Sequence, residues 1–209
     1  MTAPLRLVLC PPFCTIHPPF FIVVHLLNPG KGTETSRGRA AGRFLPYNGL
    51  TTMKGNPKVI AHLQEALREE LTAINQYFLH AEMCENWKYE KLAKFIKKQS
   101  IDEMKHAESL IERILFLDGT PSMTEALEIN VGANVRAQIE SDLKLELNAV
   151  VMYNKAVEVA RHEGDNASRE LFERLLKDEE QHVDWLEAQV HQMNEIGYER
   201  YLSQQVRGG

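Results

Sequence analysis

Two stretches of the chain carry the same polar residues at the same spacing. Glu103 and His106 lie in Asp102-Glu103-Met104-Lys105-His106, and Glu179 and His182 lie in Asp178-Glu179-Glu180-Gln181-His182. Each Glu-x-x-His has a glutamate 33 residues upstream, Glu70 and Glu146, so one shift of 76 residues superimposes the two triplets. The repeat reaches beyond them: Glu70-Leu71-x-Ala73-x-x-x-Tyr77 recurs as Glu146-Leu147-x-Ala149-x-x-x-Tyr153. An internal duplication of this kind restricts the fold to two similar halves that share one centre.

From Asn56 onward the apolar residues follow a helical period. Asn56 is a favourable N-cap and Pro57 a favourable first helical residue, after which Leu63, Leu67, Ile74, Tyr77, Ala81 and Cys84 predict a helix over about 57–87. A second helix is predicted to end at Leu117, before Asp118-Gly119-Thr120-Pro121. A long connection to about Gly132 follows. The third and fourth helices are predicted over about 134–161 and 166–196, and Gly197 leaves a short fifth helix through Tyr201 and Leu202. Two hairpins of long helices joined by one long crossover make an all-α four-helix bundle, with the second and third helices parallel.

Residues 1–52 are a different kind of sequence. They hold seven of the nine prolines, five Lys/Arg and one acidic residue. Their apolar run from Phe20 to Leu27 is too short to span a bilayer and is a poor secretory signal. The segment reads as a disordered extension or as sequence upstream of a true start at Met53, with a targeting segment as the other reading. Residues 53–209 form the folded domain. This part carries 19 Lys/Arg against 28 Asp/Glu, which disfavours a nucleic-acid surface. Cys10, Cys14 and Cys84 have no metal-type spacing and form no disulfide framework, so a reducing compartment, the cytoplasm, fits best.

The decisive feature is where the polar residues fall on the helical stripes. The core-facing rows read Leu63, Leu67, Glu70, Ile74, Tyr77 and Ile96, Gln99, Glu103, His106, Leu110 in the first half. In the second they read Ile139, Leu143, Glu146, Val150, Tyr153 and Phe172, Leu175, Glu179, His182, Leu186. An ionised carboxylate in a core must be paired or lose its charge. These stripes offer no lysine, and Arg113 is more than two turns away. Two divalent cations would neutralise four carboxylates, with one imidazole completing each site. Such an oxygen and nitrogen donor set suits iron or manganese better than structural zinc. The alternative, six solvated face residues, requires duplication, burial and charge balance to fail together.

These motifs resemble the ferritin-like di-iron carboxylate arrangement, and residues 53–209 resemble bacterioferritins nearly throughout. The resemblance is carried by Glu70-Leu71-Thr72-Ala73-Ile74-Asn75-Gln76-Tyr77-Phe78-Leu79-His80, by Ser100-Ile101-Asp102-Glu103-Met104-Lys105-His106-Ala107-Glu108, and by Asp178 through Glu187. It implies a ferritin-like four-helix bundle and a di-iron centre. Glu103 and Glu179 would bridge the metals, with Glu70 and His106, and Glu146 and His182, as terminal ligands. It implies a ferroxidase that oxidises Fe(II) with dioxygen or peroxide and deposits ferric mineral in a 24-subunit shell. Met104 would ligate haem b at a two-fold subunit interface, in a pocket lined by Leu71, Ile74, Asn75, Phe78, Ile101 and Lys105. Tyr77 and Trp185 match aromatic residues near the centre, and a ferredoxin is implied as reductant.

One departure from the pattern concerns a third iron position, which some bacterioferritins hold with a histidine and an acid. This chain has Lys98 and Gln99 there and keeps Asp102, so that position is expected to be altered or absent, with iron reaching the cavity through the di-iron centre. Other readings of the same residues are a di-iron oxygenase or peroxidase, and a metal-free helical scaffold that binds haem. A rubrerythrin would add a Cys-x-x-Cys iron module, which this chain lacks.

Overall fold

The computed structural model describes residues 53–124 and 127–206. The expectations for residues 1–52 lie outside the described residues. Five helices follow in order: α1 (Pro57–Asn86), α2 (Glu90–Phe116), α3 (Val135–His162), α4 (Asn166–Glu195) and the short α5 (Tyr198–Ser203). The four-helix arrangement and the fifth helix agree with the expectation, with ends displaced by a residue or so. The displacement at α3 arises because Asn134 is the cap itself: its side chain accepts from the Ala137 N–H while its own backbone is extended. Asn56 and Asp165 cap α1 and α4 in the same way, accepting from the N–H groups of Lys58 and Ser168.

Helix directions follow from contacts at the ends. Glu163, just past α3, accepts from the Asn56 amide and the Lys58 ammonium, each at 2.7 Å, so the end of α3 lies at the start of α1. Helix α3 therefore runs antiparallel to α1 and parallel to α2. Helix α1 packs along α2 and along α3, and α3 along α4, whereas of the adjacent pairs of long helices α2 and α4 touch least. A cleft between α2 and α4 is the consequence, and it matters for the site below.

The crossover from α2 to α3 climbs beside α1 and is tied to it at successive heights. Low on α1, the Gln64 amide donates to the Thr120 carbonyl and its oxygen accepts from the Ser122 N–H. Higher up, Gln76 Oε1 accepts from the Asn130 N–H and His80 Nε2 accepts from the Gly132 N–H. The Gly132 N–H is buried and needs such an acceptor, because an unpaired one costs about 1–3 kcal/mol. Asp142 on α3 completes the anchor, accepting from Gln76 Nε2 at 2.8 Å and lying 2.9 Å from His80 Nδ1. Because Nε2 of His80 accepts, its proton sits on Nδ1, facing the Asp142 carboxylate.

Apolar packing divides into two clusters along the bundle. One contains Leu63, Leu67, Leu110, Ile114, Phe172 and Leu175, and the other Leu92, Ile96, Ile139, Leu186, Met193 and Tyr201. Tyr201 of α5 is fully buried and donates to Gln189 on α4, which holds the short helix against the bundle end. Among the described residues no helix is long and apolar enough to cross a membrane.

Gly132 is the tightest point of the crossover. A Cβ there would lie 2.2 Å from the backbone nitrogen of Gln138 and 2.6 Å from the carbonyl carbon of Ala137. Gly132→Ala is expected to push the crossover off α3, break the His80 contact and cost about 1–3 kcal/mol. Faster hydrogen exchange at Asn130 and Gly132, with the α4 amides unchanged, checks it.

Candidate metal centre

Between the two apolar clusters the core turns polar. Glu70, Glu103, Glu146 and Glu179 are all 3% exposed or less, so the solvated-face reading fails for each. His106 and His182 are buried beside them. The stripe positions explain this burial: each residue lies on the core-facing row of its helix, in line with the buried Leu67, Ile96, Leu110, Ile139, Leu175 and Leu186. In total the four long helices bring six polar side chains to one height.

They form two overlapping sets. Glu70, Glu103, His106 and Glu179 offer ligand atoms within 4.8 Å of one another, and so do Glu103, Glu146, Glu179 and His182. Glu103 and Glu179 belong to both. Both imidazoles turn Nδ1 inward. His106 Nδ1 lies 2.8 Å from Glu103 and 3.1 Å from Glu179, and His182 Nδ1 lies 2.9 Å from Glu103 and 3.2 Å from Glu179. These approaches lack hydrogen-bond geometry: both Glu103 oxygens, Glu179 Oε1 and the two Nδ1 atoms are buried without a hydrogen-bond partner. Buried orphans of this kind are rare. Here their lone pairs converge, and a pair of cations placed among them would satisfy all five atoms.

The terminal carboxylates are held from outside the cluster. Tyr77 of α1 donates to Glu146 of α3, and Tyr153 of α3 donates to Glu70 of α1, so each half of the duplication buttresses the other. At Glu70 the tyrosine takes Oε1 and leaves Oε2 facing the centre, 3.6 Å from His106 Nδ1, whereas at Glu146 the Oε1 that accepts from Tyr77 also faces the centre, 3.7 Å from His182 Nδ1. The sequence marks Tyr153 as the counterpart of Tyr77, but its bond to Glu70 requires knowing that α1 and α3 are neighbours.

Protons compensate the charge of the metal-free cluster. Burial, followed by the nearby Glu179 and Glu103 charges, raises the carboxyls of Glu70 and Glu146 well above the usual carboxylate range. For His106, burial opposes protonation, but Glu103, Glu179 and Glu70 outweigh it and carry its pKa up to about 12. His182 is raised in the same way by Glu103, Glu146 and Glu179. Glu179 goes the other way: burial raises it, and the two imidazoles overcome this and bring it down to about 2. Tyr77 and Tyr153 are both raised by burial and by the glutamates they touch, and stay protonated donors.

A cleft of about 490 Å³ between α2 and α4 leads to the cluster and ends on His106 and His182. Trp185 lines it, stacked on Phe95 with ring centroids 3.9 Å apart. Asp102, the acid at the altered third metal position, is held by Lys98 at 2.7 Å and Lys105 at 2.6 Å. Lys105, which the resemblance to bacterioferritins places in a haem pocket, therefore directs its ammonium to Asp102. Met104 is 46% exposed, and Ile101, one turn before it on α2, and Phe78 on α1 are exposed as well. Lys97 lies 4.0 Å over the Phe78 ring. Arg113 pairs with Asp165 and leaves the four glutamates alone.

The comparisons with known proteins agree with this geometry. The ferritin-like domain family matches residues 60–196. Relatives include a bacterioferritin of Mycolicibacterium paratuberculosis, 42% identical over 154 residues that cover 74% of this chain and 97% of the relative. A bacterioferritin of Brucella melitensis is 45% identical over 71% of this chain and 92% of its own length. One of Streptomyces coelicolor is 44% identical over 72% and 90%. The chain belongs to the bacterioferritin family. This family member places its four glutamates and two histidines where the duplication predicts, on four helices of a single chain.

Sequence reasoning did not find the Gln76, His80 and Asp142 network. Its counterparts at the 76-residue shift are Met152, Ala156 and Ala66, so the duplication carries no trace of it. Only the first half bears the crossover, and only that half needs the acceptors.

The protonation pattern has a measurable sign. The raised groups stabilise the metal-free fold fully only below their unfolded values, 4.5 for the glutamates and 6.5 for His106, and that stability is lost as pH rises toward their folded values. The metal-free protein is therefore expected to lose thermal stability through the neutral and alkaline range while the metal-loaded protein loses less. Binding of Zn2+ is expected to release protons, which calorimetry in buffers of different ionisation enthalpy checks.

Proposed function

We propose that this protein stores and detoxifies iron by acting as a ferroxidase at the intra-chain centre. The observation that supports this most is the pair of overlapping four-residue sets sharing Glu103 and Glu179. Two Fe2+ ions are the substrate. Glu103 and Glu179 bridge them, Glu70 and His106 hold one, and Glu146 and His182 hold the other. Each ion gives up one electron. Two electrons and two protons convert dioxygen to hydrogen peroxide, or peroxide to two waters. Two adjacent ions let the oxidant take its pair of electrons without leaving a one-electron product.

The protein's own groups prepare this step. Four carboxylates answer the four positive charges of two ferrous ions. Tyr77 and Tyr153 fix the outer glutamates and keep them from swinging away when the charge changes. Protons that the metal-free site carries on Glu70, Glu146 and the imidazoles leave as iron arrives. Tyr77, buried against Glu146, and Trp185, at the cleft wall, are the aromatic groups near enough to supply electrons.

Mineral deposition requires an enclosed space, which we assign to a 24-subunit homo-oligomer built from two-fold dimers. Met104 fits a haem b ligand: it is an exposed thioether one turn from the exposed Ile101 on α2, and a two-fold partner presents the second. When bound, haem supplies electron transfer for reductive iron release, with a ferredoxin as the reductant. We place the assembly in the cytoplasm, and residues 53–209 as its ferritin-like domain.

Glu103→Ala with Glu179→Ala is expected to abolish iron oxidation, read as ferric absorbance after Fe2+ addition, with the assembled mass on size exclusion retained. Undiminished oxidation would return the chain to a scaffold role. Met104→Leu is expected to remove the haem Soret band while leaving the rate of iron oxidation unchanged, and a persistent band would place the haem elsewhere.

A further inference from the structure

The 76-residue shift extends to the cleft mouth. Lys98, Asp102 and Lys105 on α2 correspond to Arg174, Asp178 and Gln181 on α4, and all six line the cleft that ends on the two histidines. The two aspartates occupy matching places but have different partners. Asp178 turns Oδ2 toward Nε2 of His106 across 3.6 Å, while its Oδ1 accepts from the neutral Gln181 amide at 3.3 Å. Asp102 has both oxygens taken by ammonium groups, Lys98 on Oδ2 and Lys105 on Oδ1. Among the described residues no carboxylate lies within 4.0 Å of Nε2 of His182. The source of the difference is in the sequence: Lys105 of the first half is Gln181 in the second.

An imidazole that binds a cation through Nδ1 carries its proton on Nε2. A carboxylate facing that N–H fixes the ring and makes Nδ1 a better donor, an effect worth about 10–100-fold in metal affinity. The 3.6 Å separation is longer than a hydrogen bond. The Asp178 side chain is 37% exposed at an open cleft, so a small rotation closes the gap. His182 has no such support, because its candidate partner is held by two lysines.

We propose that Asp178 is a positioning residue for His106, and that Lys98 and Lys105 withdraw Asp102 from the same task at His182. The two metal positions are therefore unequal: the one formed by Glu70 and His106 fills first and holds its divalent cation more tightly. The inference rests on the two-metal reading of the centre and adds an order of filling to it. It also assigns the lysines a purpose, since their pairing with Asp102 keeps the second position weak enough to pass its ion on.

Titration of the full-length, metal-free protein with Co2+, followed by visible absorption and calorimetry, tests this. Two binding steps separated by about 10–100-fold are expected. Asp178→Asn should weaken the tight step by about tenfold or more, leave the weak step unchanged, and alter the spectrum of the first Co2+ bound. Lys98→Met with Lys105→Met, both at exposed positions, should strengthen the weak step and bring the two together. Equal steps in the unaltered protein, an Asp178→Asn protein weakened equally at both steps or at neither, or unchanged spacing in the lysine variant would each overturn the proposal. Absence of any Co2+ binding by the unaltered protein would instead overturn the two-metal reading beneath it.

Discussion

Four carboxylates in the middle of a helical bundle are the constraint on which everything else in this structure depends. Each costs several kcal/mol to bury as an anion unless opposite charge meets it. Among the described residues no lysine or arginine pairs with them: Arg113 is committed to Asp165, and Lys98 and Lys105 to Asp102 and Lys97 to Glu82. The fold answers first with protons, on two imidazoles and two glutamates, and the lone pairs left over point at one another. A fold held only for its stability would fill this height with leucine, as the same rows do at Leu67, Leu110, Leu175 and Leu186. Acids retained at this height are a donor set that could hold metal ions.

Much of this was legible from the chain itself. The stripe of each helix showed where Glu70, Glu103, Glu146 and Glu179 would face, because a helix presents residues three and four apart on one side. The duplication then said that the two stripes meet, since half a charge-compensated site has no use alone. The caps at Asn56, Asn134 and Asp165 are similarly local and were open to reading, to within the residue or so by which helix ends differ.

What escaped was set by partners remote in sequence. Gln76, His80 and Asp142 look like polar residues strayed onto apolar rows, and their purpose emerges only when the backbone of Asn130 and Gly132 is laid across them. The crosswise bonds from Tyr77 and Tyr153 depend on α1 and α3 being neighbours. The unequal roles of Asp102 and Asp178 depend on which way a lysine or glutamine three residues later turns its end. Duplication supplies matched ligands, but the crossover runs along one half only, and the surroundings have diverged accordingly.

Anomalous diffraction from crystals soaked in Fe2+ under exclusion of oxygen tests the central claim most directly. The account predicts two peaks about 3.5–4 Å apart, both within bonding distance of Glu103 and Glu179, with His106 on one side and His182 on the other. Peaks confined to surface acids, or a centre that stays metal-free at saturating iron with its imidazoles still against the carboxylates, would contradict it.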